Sequence, residues 1–144
     1  MMAESTSIRE LLLSIIVGMP VLGIVNSLWF GSSLVRYLRQ QPRIASFHDM
    51  EQFKRIVAAQ MYGALAQILV LVLPGIAFAA GFVLKVLGRV DLLFVLVPSA
   101  VVVLVGVYYK RIERSAQTLD VSEEFREEYA RVIYTWLHKP FPTW

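Results

Sequence analysis

Three long stretches of this chain carry no charged side chain: residues 11–35, 61–84 and 92–109 contain no Asp, Glu, Lys or Arg. They run for 25, 24 and 18 residues and take up 67 of the 144. At about 1.5 Å of rise per helical residue, each is long enough to cross a hydrocarbon slab about 30 Å thick. A soluble helical bundle needs a polar face on every helix, and these stretches offer none. The overall composition agrees: 57% of residues are hydrophobic and 17% charged, with a mean hydropathy of +0.60. Soluble domains sit near half apolar and a quarter charged. The expected fold is an all-α membrane protein with three transmembrane helices, and disordered, collagen-like and disulfide-scaffold classes are excluded.

The chain has no cysteine, which removes disulfides, thiolate metal sites and cysteine nucleophiles together. Its net charge of +3 and pI near 9.4 do not indicate nucleic acid, because the basic residues lie beside the apolar stretches, where a membrane protein places them. Before residue 11 only Arg9 is basic, and the apolar run that follows exceeds a signal-peptide core, so the first stretch is read as a retained span. With three spans, Arg9, Lys85 and Arg89 share one side, and the other eleven Lys and Arg share the opposite side. The positive-inside rule then places the N-terminus outside and the C-terminus in the cytoplasm, with a bacterial inner membrane as the expected setting.

Ser7 and Glu10 have the spacing of a capping box for a first helix reaching about Tyr37, with Pro20 inside it. Gln40-Gln41-Pro42-Arg43 breaks that helix, and Ser46 with Asp49 repeats the capping spacing, so a second helix is expected from Phe47. Met50, Phe53, Val57, Met61 and Ala64 then form an apolar stripe that begins well ahead of the second span, giving a cytoplasmic extension. Pro74-Gly75 marks a mid-span kink, and Gly75/Ala79 with Ala77/Gly81 are small-residue pairs suited to close helix approach, as are Gly18, Gly23 and Gly31. Gly88 is expected to end helix 2 and Asp91 to cap helix 3, which leaves through Tyr108-Tyr109. Residues 1–114 thus form the spanning domain and 115–144 a cytoplasmic tail.

In the tail a helix is expected from Asp120 or Ser122 to about Leu137. Val121, Phe125, Tyr129, Val132, Ile133 and Trp136 fall on one face of it, opposite Glu123, Glu124, Glu127, Glu128 and Arg131. Lipid-surface helices carry cations on the polar face, so this acidic face points to packing on protein. The helix 2 extension is the preferred partner and another protein the alternative. The final Pro-Phe-Pro-Thr-Trp reads equally as a docking peptide or as aromatics at the headgroup layer.

Asn26 and Gln67 are expected to bridge two spans by a hydrogen bond. Arg36, Arg39, Lys110, Arg111 and Arg114 form a basic collar that fixes topology and attracts anionic lipid. His48 and His138 have no metal-ligand spacing, and no metal or cofactor is expected. No span contains an ionisable residue of the kind that transporters and proton pumps place near the midplane. Nucleophile-elbow, zincin, P-loop and dinucleotide-binding motifs are absent. The expected function is non-catalytic: an accessory or assembly subunit of a larger membrane complex. Its expected partners are the lipid bilayer and a membrane protein or further copies of itself, with no nucleic acid. A self-assembling pore is the alternative, and an interfacial lipid-acting enzyme using His48 or His138 a third reading.

Overall fold

The computed structural model describes residues 2–144, with side chains from Ser7 onward. Its helices are α1 (Met2–Gln40), α2 (Phe47–Val83), α3 (Leu92–Ala116) and α4 (Arg126–His138). Two-residue strands β1 (Arg43–Ile44) and β2 (Asp120–Val121) pair in parallel, and single 3-10 turns (Arg89–Asp91 and Glu123–Phe125) precede α3 and α4. Three of the four helices are long and apolar enough to span a membrane, and at most 22% of the most apolar window of each is buried within the chain. The chain divides into two compact units, one of Met1–Ser27 with Ala66–Gly106 and one of Leu28–Leu65 with Val107–Trp144.

In the first unit Ile16, Ala77, Leu87 and Val95 form the buried cluster, with Leu12, Leu13, Ile15, Phe78 and Val86 against it. Pro20 and Pro74 are fully buried. Each proline lacks the N–H that would bond the carbonyl four residues earlier, those of Ile16 and Val70. Gly23 earns its place by close approach: a Cβ there would collide with the Val70 side chain and crowd Gln67. Gly81 likewise faces Leu87, whereas Gly18 and Gly75 have open space on the side a Cβ would take.

Several expected boundaries move. Ser7 and Glu10 do not start α1, which already runs from Met2; residues 3–6 contain no Gly or Pro to stop a helix from propagating. Nor does Gly88 end α2. The helix stops at Val83, and Lys85 takes the left-handed conformation, with φ 58°. Val86 N–H bonds to the Gly81 carbonyl at 3.0 Å and Lys85 N–H to that of Phe82 at 3.1 Å. These are the two bonds of a Schellman motif, with lysine where glycine is usual. Asp91 does not cap α3 from outside but closes the turn before it: its Oδ2 accepts from Gly88 N–H at 2.8 Å and its Oδ1 pairs with Arg9 at 3.2 Å.

The expected start of α2 holds. Ser46 Oγ accepts from Asp49 N–H at 3.2 Å, and Asp49 Oδ2 accepts from Ser46 N–H at 3.0 Å and from Ala45 N–H at 3.2 Å. The box satisfies donors that a bare helix start leaves unpaired.

A left-handed L-residue costs about 1–2 kcal/mol. Lys85→Gly should therefore raise stability by about 1 kcal/mol in detergent thermal unfolding, and Lys85→Val should lower it. Equal stability of the two variants would contradict the strain account.

Candidate functional site

The second unit is built around Phe53, which is fully buried on the charged, early part of α2. Tyr37 lies 6.0 Å from it and Tyr129 5.3 Å, centroid to centroid. Leu34, Ile44, Met50, Val57, Met61, Ala116, Phe125 and Val132 complete the buried cluster. All six residues expected on the tail's apolar face belong here: Phe125 and Val132 are buried, and Val121, Tyr129, Ile133 and Trp136 pack against the cluster. They meet the stripe on α2, so the tail folds on its own chain.

Val121 reaches this cluster from β2 rather than from a helix, which rules out Asp120 as the cap; helical backbone begins after Ser122, the N-cap of the 3-10 turn Glu123–Phe125 that runs directly into α4 at Arg126. The reason is an alternative backbone partner. Arg43 pairs with Asp120 and Ile44 with Val121 in parallel register, and Ser122 N–H donates to the Ile44 carbonyl at 3.0 Å. Arg43 and Asp120 also form an ion pair at 3.3 Å. Extended backbone satisfied in this way does not enter the helix.

Polar contacts fasten the tail at two further points, and a third joins α1 to α2. Tyr129 Oη donates to the Ala116 carbonyl at 2.7 Å and accepts from Leu119 N–H at 3.3 Å, tying α4 to the end of α3. Lys54 Nζ bonds to the Glu128 carboxylate and lies 3.4 Å from that of Glu51. The Glu128 bond, joined by Glu51, raises the Lys54 pKa against the opposing effect of burial. Tyr37 Oη donates to the Asp49 carbonyl at 3.2 Å. None of these bonds has a sequence signature beyond residue type.

Among the other residues singled out by sequence, Asn26 Nδ2 donates to Gln67 Oε1 at 3.2 Å, so the two amides do bridge α1 and α2. A second such bridge, from Gln60 Nε2 to the Phe30 carbonyl at 2.6 Å, was not foreseen. His48 lines a shallow groove with Glu51, Gln52 and Arg55, and His138 is not among its lining residues. His138 instead stacks on Tyr134, with ring centroids 4.5 Å apart, and its Nδ1 lies 3.0 Å from the Tyr134 carbonyl. No group of three metal-ligating side chains occurs among the described residues. Phe141 and Trp144 are exposed, and Lys139 Nζ bonds to Thr143 Oγ1 at 3.2 Å.

The basic collar divides. Arg36 and Arg39 line a groove of about 460 Å³ with Ser32, Val35, Gln40, Tyr108, Tyr109 and Ile112, whereas Lys110, Arg111 and Arg114 do not. Gly31 makes the groove possible, because a Cβ there would occupy the space of the Tyr109 ring. Sequence reading found the cations and tyrosines separately, but nothing in their spacing joined them. Comparison with protein-family models, curated proteins and solved structures finds no match.

Burial raises the Tyr129 pKa above its ordinary value of 10.0. A raised folded pKa adds stability that is present below the unfolded value and lost as pH rises through the folded one. Tail resistance to limited proteolysis should therefore fall above about pH 10. Tyr129→Phe should cost about 1–3 kcal/mol through the unpaired Ala116 carbonyl and weaken that pH response, which Lys54 shares in sign. A fully protected tail in Tyr129→Phe would contradict this role.

Proposed function

We propose that this chain is a non-catalytic accessory or assembly subunit of a larger membrane complex. Its three long helices cross the bilayer, with the N-terminus outside and the tail in the cytoplasm. The distribution of Lys and Arg supports that orientation, with eleven on the tail side and three on the other.

One observation carries the reading: the apolar surface is unevenly used. The tail saturates the Phe53 cluster, but the spans keep most of their side chains outward, among them Leu22, Trp29, Ile76, Val97 and Leu104. In lipid such surfaces have no hydrophobic drive toward one another, and helices associate through close packing and hydrogen bonds. Three lightly packed spans therefore gain from lateral contact with partner helices. The closed lobe then serves as the rigid docking element, with Tyr134 and Leu137 exposed on α4. The charge-free spans lack the midplane ionisable side chain that transporters and proton pumps use, which supports a role other than transport.

Mild-detergent extraction from the native membrane, followed by native mass spectrometry, tests this. The expected result is co-purification with larger membrane proteins at fixed stoichiometry. A lone monomer, or a homo-oligomer that conducts ions in liposomes, would overturn it.

A further inference from the structure

The groove between the end of α1 and the end of α3 has a chemistry that neither its collar position nor a packing role requires. Arg36 and Arg39 stand one helical turn apart on α1, where residues three apart are surface neighbours. Both are exposed, and no described carboxylate lies within ion-pair distance of either. Opposite them are Tyr108 and Tyr109, whose rings meet edge to face at 5.3 Å. No described hydrogen bond uses either tyrosine hydroxyl. Val35 and Ile112 supply apolar wall. The groove therefore has two unpaired guanidinium groups and two phenol donors at the ends of the charge-free stretches of α1 and α3, above an aliphatic lining.

We propose that this groove binds the headgroup of one anionic phospholipid, its phosphate held by Arg36 and Arg39 and its glycerol and upper acyl carbons against Val35, Tyr109 and Ile112. Guanidinium is suited to phosphate because its planar fork can donate two parallel hydrogen bonds. Tyrosine favours the same depth, with an apolar ring and a polar tip. The helix dipole does not help: the terminal carbonyls of α1 repel an anion, and Arg39 in its last turn offsets them. The two arginines must supply the attraction. Lys110, Arg111 and Arg114 lie outside the groove and contribute only to the general surface field.

The inference rests on the membrane reading but is independent of the accessory role. The test uses the full chain in nanodiscs of equal phosphatidylglycerol and phosphatidylcholine, with native mass spectrometry of what stays bound after detergent release. Wild type and the Arg111→Gln/Arg114→Gln double variant should each retain one phosphatidylglycerol. Arg36→Gln/Arg39→Gln, with the same loss of charge, should retain it roughly 30-fold less, at about fivefold per cation. Equal loss in both double variants would reduce the site to a diffuse collar and overturn the proposal. So would equal retention in both, no preference for the anionic lipid, or a bound mass of inorganic phosphate alone. Failure of the wild type to enter the discs would overturn the membrane reading, and the groove with it.

Discussion

Everything in this chain follows from where charge is forbidden. In hydrocarbon an unpaired backbone group costs several kcal/mol, so a spanning segment must have its backbone bonds satisfied, and a lone segment achieves that as a helix. The three uncharged stretches obey that rule, and all charged residues lie at their ends or beyond. Within them polar side chains are few: Asn26 bridges to Gln67 on α2, and Ser32 and Ser33 return their hydroxyls to the Trp29 carbonyl of their own helix. Buried Pro20 and Pro74 interrupt the helical bonding on inward-facing positions rather than toward the outer surface.

The Phe53 cluster depends on a different interaction. Its surface carries Lys54, Glu51, Glu128, Arg43 and Asp120, so burial of apolar area from water stabilises it, at about 25 cal/mol per Å². That term has no specificity of its own. Register comes from Tyr129 on the Ala116 carbonyl, from the Lys54–Glu128 pair and from the Ile44–Val121 pairing. From the acidic face of α4, Glu128 binds Lys54 of the same chain.

The fold was legible where one periodicity dominated. Charge-free runs gave three long helices, the Ser46–Asp49 spacing gave the start of α2, and the Met50–Val57 and Phe125–Trp136 stripes predicted the faces that meet. Boundaries set by tertiary partners were not legible. Asp120–Val121 has helical periodicity around it, yet Arg43–Ile44 draws it into a strand across 77 residues of chain. Lys85 replaces the expected glycine because the Val86 and Lys85 amide bonds define the turn, and no side-chain preference announces that. The arginine–tyrosine groove was equally hidden, since it brings together residues near 36 and near 108 through the gap that Gly31 leaves for Tyr109.

The functional account joins a closed, water-compatible lobe to apolar helices whose outer surfaces remain available for lipid and for partner helices. Its central claim is that three crossings put the α2–α3 turn and the tail on opposite sides of a bilayer. Because the chain contains no cysteine, single introduced cysteines report this without background. Gly88→Cys, Ala45→Cys and Thr143→Cys should be treated with a membrane-impermeant maleimide in intact cells and again after permeabilisation. The account predicts that position 88 labels in intact cells, and that positions 45 and 143 label only once the membrane is opened. Labelling of 88 and 143 from the same side would contradict it.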